Sequence, residues 1–294
     1  MPNRIPIELT LAKRVSALEA EVRRLSTLES GVGKQSAWAR MVSSYLHLPF
    51  LRSYWPGTVN IGAASPLLVD LASGFNLTQS GTPTYPLMTL VNDLVPATWY
   101  RSVAANYHYY ADDPHFDITG YETNIHSIYN GLTVGCWFQP KDSVGISALL
   151  SKWDYDSEDG PFVLEVNSSG YPMFTCSEDG AIAHSMASTE VVTLQNWSLI
   201  VGRFDPGVST DIFHNGVWYK NTTSPQSSLH SGTIPFRIGM YVDSGPTNIY
   251  CDGFVCHSFV CAGYVSDEII SALYRDTRGL LQTQKDYTSK VLGI

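Results

Sequence analysis

Residues 196–219 carry the clearest alternation of apolar and polar positions in the chain. Large apolar side chains recur at every second position from Trp197 to Val201, which is typical of a strand in a two-layer sandwich. An Asp-Pro-Gly turn ends this run. The next run contains the dipeptide Asn215-Gly216, which favours the positive φ angles of a tight type I′ hairpin. The pattern predicts a meandering antiparallel sheet and an all-β fold.

A second periodicity, with apolar residues four and three apart, occupies the N-terminal segment and is typical of the a and d positions of a coiled coil. The seam residues are Leu11, Val15, Leu18, Val22 and Leu25. Gly31 and Gly33 end the predicted helix, so the coiled-coil segment spans residues 1–33. An isolated helix of about 20 residues is marginal in water, so the seam must pack on another copy or on the chain's own domain. Because a two-position seam is narrow for a docked helix, self-association is favoured.

The oligomeric state follows from a short motif within this helix. The order Arg14, Val15, Leu18, Glu19 resembles the Arg-apolar-x-x-apolar-Glu pattern of short parallel three-stranded coils, which implies that Arg14 pairs with Glu19 of a neighbouring helix. The resemblance predicts a homotrimer. Valine at the a positions with leucine at d favours a dimer instead, and that alternative remains open.

Several further blocks along the chain share features with one family. They lie at residues 51–56, 69–78, 132–140, 149–154, 196–219, 235–239 and 252–270. In this order the blocks resemble the laminin-G-like, or concanavalin A-like, jelly-roll family. The resemblance implies an antiparallel two-sheet jelly-roll sandwich over residues 51–294 with a short C-terminal helix and tail. Residues 34–50, apolar without a clean period, are then a tether.

Composition narrows the classes of partner. The formal net charge of −9 and the pI near 5.3 lack the basic footprint that nucleic-acid binding or attachment to anionic membranes requires. No run is long enough to cross a bilayer and the N-terminus has no export signature, so we expect assembly in a cytoplasm. The five cysteines predict free buried thiols. Along its strand, Cys256 is predicted to face away from Cys251 and Cys261.

Catalytic and metal-binding signals are weak. The acidic run of the family's glycanases does not occur, and Glu165 has no acidic partner two residues away, so we predict that the protein is not an enzyme. Asp154, Asp156 and Glu158 alternate as calcium ligands can, but the run lacks the glycine and later glutamate of an EF-hand. We interpret it as a hairpin tip and predict no cofactor, with calcium as the alternative.

Candidate ligand-binding residues are aromatic and acidic side chains on predicted loop tips. An aromatic face stacks on a sugar ring while a nearby carboxylate accepts its hydroxyl groups. The candidates are Trp153, Tyr155, Tyr241 and Asp243. Trp137 and Trp197 lie within predicted strands and are assigned to the core instead.

Taken together, the helix and the sandwich resemble phage-encoded chains of similar layout. The resemblance implies a non-enzymatic, trimeric virion surface protein of a bacteriophage, a tail appendage, fibre or capsid decoration, made in the host cytoplasm. It would contact other virion proteins and attach to a host-surface glycan or protein. Two alternatives remain: a decoration protein that binds only neighbouring virion subunits, and a secreted carbohydrate-binding or glycan-hydrolysing protein.

Overall fold

The computed structural model describes residues 32–60, 67–81, 88–91, 95–102, 105–113, 115–116, 131–141, 144–223, 225–243 and 248–281. The predicted coiled-coil residues, from Leu11 to Leu25, lie outside this part of the chain. The chain divides after Ser43 into two units, and all described strands belong to the second. Helix α1 (Val32–Leu46) covers most of the segment predicted to be a tether, and helix α2 (Asp267–Leu281) follows the last strand. Neither described helix has the length and hydropathy needed to span a membrane.

The described residues form nineteen strands, most of them short and antiparallel. They are β1 (Leu51–Trp55), β2 (Val59–Asn60), β3 (Leu67–Leu68), β4 (Leu77–Ser80), β5 (Met88–Val91), β6 (Val95–Tyr100), β7 (Tyr107–Tyr110), β8 (Leu132–Pro140), β9 (Ser147–Asp154), β10 (Asp159–Val166), β11 (Pro172–Cys176), β12 (His184–Ala187), β13 (Ser198–Asp205), β14 (Ser209–His214), β15 (Val217–Asn221), β16 (Phe236–Ile238), β17 (Met240–Val242), β18 (Asn248–Tyr250) and β19 (Gly253–Cys261).

These strands make two sheets. The first sheet has the order β15-β14-β13-β8-β19-β6-β5, with β1 paired to β19. The second has the order β12-β11-β10-β9-β16-β7-β4-β3-β2, and β17 joins it beside β9 and pairs with β18. The all-β sandwich predicted from the alternating pattern is confirmed.

The predicted hairpin between β14 and β15 is also confirmed. Asn215 and Gly216 have φ angles of 49° and 106°, in the left-handed region that a type I′ turn needs at both central positions. Ile212 then pairs with Tyr219 across the turn. Local turn chemistry therefore sets the register of this edge of the first sheet.

The two sheets enclose one apolar core. Its members alternate along each strand, as in Phe162, Leu164 and Val166 of β10, and they interlock with large rings such as Trp55 and Phe236, whose centroids lie 5.3 Å apart. All five cysteines are buried and free, as predicted.

The predicted orientation of Cys256 is confirmed relative to Cys251, which belongs to the core, and is wrong relative to Cys261 because β19 contains a bulge. Val255 and Val260 both point into the core although five residue steps separate them, and an uninterrupted strand would place them on opposite faces. The pairing of β19 with β8 shifts between Cys256 and Phe259, and His257 within that shift has φ of 51°. Alternation from the two valines therefore puts Cys256 and Cys261 on the same outer face.

Aromatic side chains cover the outer face of the first sheet. Tyr45 stacks on Tyr54 and on His257, with centroids 4.9 and 5.0 Å away. Tyr274 of α2 lies 6.0 Å from Trp137 and 5.8 Å from Phe213. Trp137 and Trp197 are both buried, as predicted. Helix α2 therefore packs on the first sheet, opposite to the outer face of the second.

Candidate functional site

Trp153 is not at a loop tip, and the prediction of its position is wrong. The residue lies in β9 and is fully buried, in a small cluster with Ala148, Val163 and Tyr241 on the outer side of the second sheet. Its indole packs flat against Gly160 of the neighbouring strand, where a Cβ atom would come within 2.6 Å of the ring. Trp153 therefore packs beneath the surface and is not itself exposed on it.

Tyr155 lies at the turn between β9 and β10, as predicted. It is 41% exposed, and its ring meets Trp153 edge-on with centroids 5.2 Å apart. Its backbone N–H donates to the carbonyl of Val242 at 3.2 Å, which ties the turn to β17. Tyr155 therefore presents an aromatic surface to solvent from an anchored backbone.

Tyr241 was also predicted on a loop tip, and that position is wrong as well. It lies in β17 and is buried, with 5% of its surface exposed. Its hydroxyl group lies near the carboxylate of Glu165, and each of the two groups shifts the pKa of the other. Asp243, half-buried just after β17, adds a second negative charge near the same carboxylate.

Glu165 is the residue of this cluster that the sequence analysis considered only as a catalytic acid. It alternates with the core residues Leu164 and Val166 on β10 and so points to the outer face. Burial, with a contribution from Asp243, raises its pKa to about 7, and the nearby Tyr241 hydroxyl group opposes that increase. Its Oε2 has no hydrogen-bond partner among the described residues and is therefore a buried, unsatisfied acceptor.

A group of tyrosines, which the sequence analysis missed, lies on the same sheet. Tyr107 and Tyr109 alternate on β7 with the inward-facing His108 and Tyr110, so both point outward. Their ring centroids are 5.9 Å apart, and that of Tyr250 lies 6.3 Å from Tyr107. All three tyrosines are half-buried. Period-two alternation in Tyr-His-Tyr-Tyr is the signal that could have identified them.

Arg237 occupies the middle of this face. It alternates with Phe236 and Ile238 of the core, and it lies between Tyr109 of β7 and Ser151 of β9 in the strand register. Only 8% of its surface is exposed, and burial lowers its pKa. The face therefore combines tyrosine rings and one guanidinium on one side with Glu165 and Asp243 on the other.

The acidic run beside Tyr155 forms a hairpin tip, as predicted. Asp154 Oδ1 accepts hydrogen bonds from the backbone N–H groups of Asp156 and Ser157 at 3.1 and 3.2 Å, which is the arrangement of an Asx turn. Glu158 has a positive φ of 52° within the same turn. Within the described ranges, no group of three or more histidine, cysteine or acidic residues has the arrangement of a metal site.

Comparison with known proteins identifies the fold. Residues 118–258 match the Laminin_G_3 model of the concanavalin A-like lectin/glucanases superfamily. No match to a curated protein was found.

Three solved structures illustrate the similarity. The receptor binding domain of botulinum neurotoxin C/D mosaic serotype is 12% identical, with a TM-score of 0.54 over 77% of this chain and 51% of that chain. Domain 4 of AbnA, a GH43 extracellular arabinanase from Geobacillus stearothermophilus solved in complex with arabinotriose, is 12% identical, with a TM-score of 0.53 over 78% of this chain and 100% of that chain. A structure of botulinum neurotoxin type C, whose cell entry is described as dependent on two ganglioside molecules, is 13% identical. Its TM-score is 0.50 over 80% of this chain and 53% of that chain.

Identities this low establish a shared fold and no shared activity. The chain spans about half the length of the neurotoxin domains that it matches. The matched region begins before β8 and ends within β19, so it includes Glu165, Arg237 and Tyr250 but not Tyr107 and Tyr109 of β7. The two facing antiparallel sheets and the family match together show that the chain contains a concanavalin A-like jelly-roll domain.

Proposed function

We propose that this protein is a non-enzymatic carbohydrate-binding protein and that the outer face of the second sheet is its binding surface. The observation that carries the proposal is the group of half-buried rings Tyr107, Tyr109 and Tyr250 on the sheet opposite to the one that α2 packs against. The apolar face of a sugar stacks on an aromatic ring, and a ring held between strands loses little conformational entropy on binding.

The carboxylates on this face complement the rings. Glu165 Oε2 is enclosed and has no hydrogen-bond partner in the described part of the chain, so this carboxylate acts on the face through its charge and not by direct contact with a ligand. Asp243 lies near enough to affect the pKa of Glu165. Tyr241, which also affects the pKa of Glu165, is buried in one cluster with Trp153.

The ligand class is supported by what proteins of the same fold bind. The arabinanase domain was solved with arabinotriose, and the neurotoxin is described with gangliosides. Both ligands are glycans.

The Tyr109→Ala variant should bind saccharide roughly tenfold more weakly than the wild-type protein, because it removes a stacking ring from the centre of the face. The measurement is a glycan array with the full chain, followed by titration calorimetry of the saccharides that bind. Tyr171→Ala is the matched control, since Tyr171 is also a half-buried tyrosine but lies at the turn between β10 and β11. Absence of binding to every saccharide would overturn the proposal.

We further propose that the protein acts as a trimer on the surface of a bacteriophage particle, where it attaches the virion to host glycans. Support comes from the heptad spacing of Leu11 to Leu25 and from the Arg14 and Glu19 motif in the sequence. Three sites that engage one surface together gain about 10²–10⁴ in avidity over one site, so weak individual sites are sufficient.

Replacing Leu18 with aspartate should convert a trimer into a monomer, because a carboxylate at a d position cannot be buried in the seam. Light scattering of the full chain measures the mass directly. Glu21→Gln, outside the seam, should leave the trimer mass unchanged. A wild-type protein with the mass of one chain would refute trimerisation and leave the carbohydrate site untouched.

A further inference from the structure

Arg237 carries a buried positive charge that the described residues do not neutralise by direct contact. Its only hydrogen bond to them runs from Nη1 to the carbonyl of Trp153 at a long 3.4 Å. No carboxylate oxygen of a described residue lies within 4.0 Å of the guanidinium. Tyr107 and Asp154 raise the pKa of Arg237 only through longer-range electrostatic interaction. By contrast, the buried Arg203 on the first sheet contacts two carboxylates at 2.8 and 2.6 Å.

An enclosed guanidinium without a close counterion is costly unless something pairs with it. Arginine presents its donors in a planar fork that matches a carboxylate in a bidentate manner. Arg237 retains unused donors, and its neighbour across the strand pair, Ser151, is already engaged because its Oγ donates to the carbonyl of Met240 at 2.6 Å. None of these donors is sealed from solvent, so they are open to water or to a ligand from outside the described chain.

The groups around Arg237 restrict what that partner is. Tyr109 lies directly opposite on β7, and Tyr107 is two residues along the same face. Glu165 lies two strands across the sheet from Arg237 and two residues along β10 from the residue in register with it. Standard sheet spacings put the two residues about 12 Å apart. A sugar that bears a carboxylate can place the acid on Arg237 and its ring on the tyrosines, while Glu165 stays beneath the face.

We propose that Arg237 makes this surface selective for saccharides that carry a carboxylate, such as uronic or sialic acids. This inference rests on the proposed carbohydrate function and specifies its ligand class. The overall charge of −9 disfavours anions in general, so local pairing with Arg237 has to provide the selectivity.

The test uses the full chain and a saccharide panel in matched pairs. Each acidic saccharide, for example trigalacturonate or 3′-sialyllactose, is paired with its methyl ester, and sulfated saccharides form a third set. The wild-type protein should bind at least one acid at least tenfold more tightly than its ester. Arg237→Gln should abolish the preference for the acid and keep the weaker binding of the ester. Arg237→Lys should retain only part of the preference for the acid. Arg275→Gln, an exposed site on α2, should leave the preference unchanged.

The outcomes separate the two proposals. Equal binding of acids and esters, or a preference for sulfated saccharides over carboxylated ones, would overturn the inference while the carbohydrate function stands. Absence of binding to any member of the panel would overturn both. If Arg237→Gln lowers the unfolding temperature by more than a few degrees, the lysine variant carries the comparison, because it preserves the charge and removes only the planar fork.

Discussion

Replacing Arg203 with methionine is expected to lower the free energy of unfolding by about 3–5 kcal/mol, because it leaves a buried carboxylate without its counterion. Arg203 is fully buried in β13. Its Nη2 donates to Asp211 at 2.8 Å and to Asp267 at 2.6 Å, and its Nη1 donates to the carbonyl of Val265 at 2.6 Å. The same side chain therefore joins β14 to the first turn of α2.

Urea unfolding of the wild-type and variant proteins measures this effect. Lys220→Met is the control, since Lys220 also lies near Asp211 and Asp267 but is 41% exposed, and it should cost less than about 1 kcal/mol. The double variant Arg203→Met with Asp211→Leu removes both buried charges and should recover much of the loss. A cost below 1 kcal/mol for Arg203→Met would show that the buried pair does not anchor α2.

Lowering the pH from 7 to 4.5 is expected to reduce the contribution of His108, His257 and Glu165 to the free energy of unfolding by about 2 kcal/mol, as the difference between two larger effects. Burial lowers the pKa of both His108 and His257 to about 3. Such a histidine takes up its proton only on unfolding, so its contribution is complete above pH 6.5 and is lost as the pH falls toward 3. Together the two histidines cost about 5 kcal/mol by pH 4.5. Burial also lowers the pKa of His115 and His214, which adds to the loss.

Glu165 acts in the opposite sense. Its pKa is about 7 in the folded protein against 4.5 for an ordinary glutamate. A raised carboxyl pKa stabilises the folded state below pH 4.5, and that stability is lost as the pH rises through 7. Acidification from pH 7 to 4.5 therefore regains about 3 kcal/mol.

Two variants isolate the opposing effects. Glu165→Gln should lose about 3 kcal/mol more than the wild type between pH 7 and 4.5, because the opposing carboxyl effect is removed. His108→Gln combined with His257→Asn should lose about 5 kcal/mol less than the wild type, and asparagine tolerates the positive φ at position 257. Asp276→Asn, at an exposed site on α2, should follow the wild type. Identical pH profiles for the wild type and Glu165→Gln would contradict the burial of this carboxyl group.

The features that could be predicted from the sequence are those controlled by neighbouring residues. Asn215-Gly216 specifies its hairpin because the positive φ angles belong to those two residues themselves. Trp137 and Trp197 could be assigned to the core because each lies within an alternating run. The order of the blocks that resemble the jelly-roll family then predicted that these strands form two sheets.

The candidate site was only partly predictable, since its residues come together through strand order. Tyr109 of β7, Arg237 of β16 and Ser151 of β9 are adjacent because β16 lies between two strands that are distant in sequence. Trp153 and Tyr241 are flanked by acidic and turn-forming residues, which indicated exposed loops. Their burial depends on how β17 joins the sheet beside β9.

By itself, then, the sequence determined the strand-rich class, the hairpin turns and the apolar core positions, because turn chemistry and period-two alternation act over a few residues. Only the tertiary structure decided which alternating face is open to solvent, where β19 bulges at His257, and which tyrosines, carboxylates and arginine share one surface. The physical reason is that these outcomes depend on pairing between distant strands, and a single residue of register shift reverses the face of every side chain that follows.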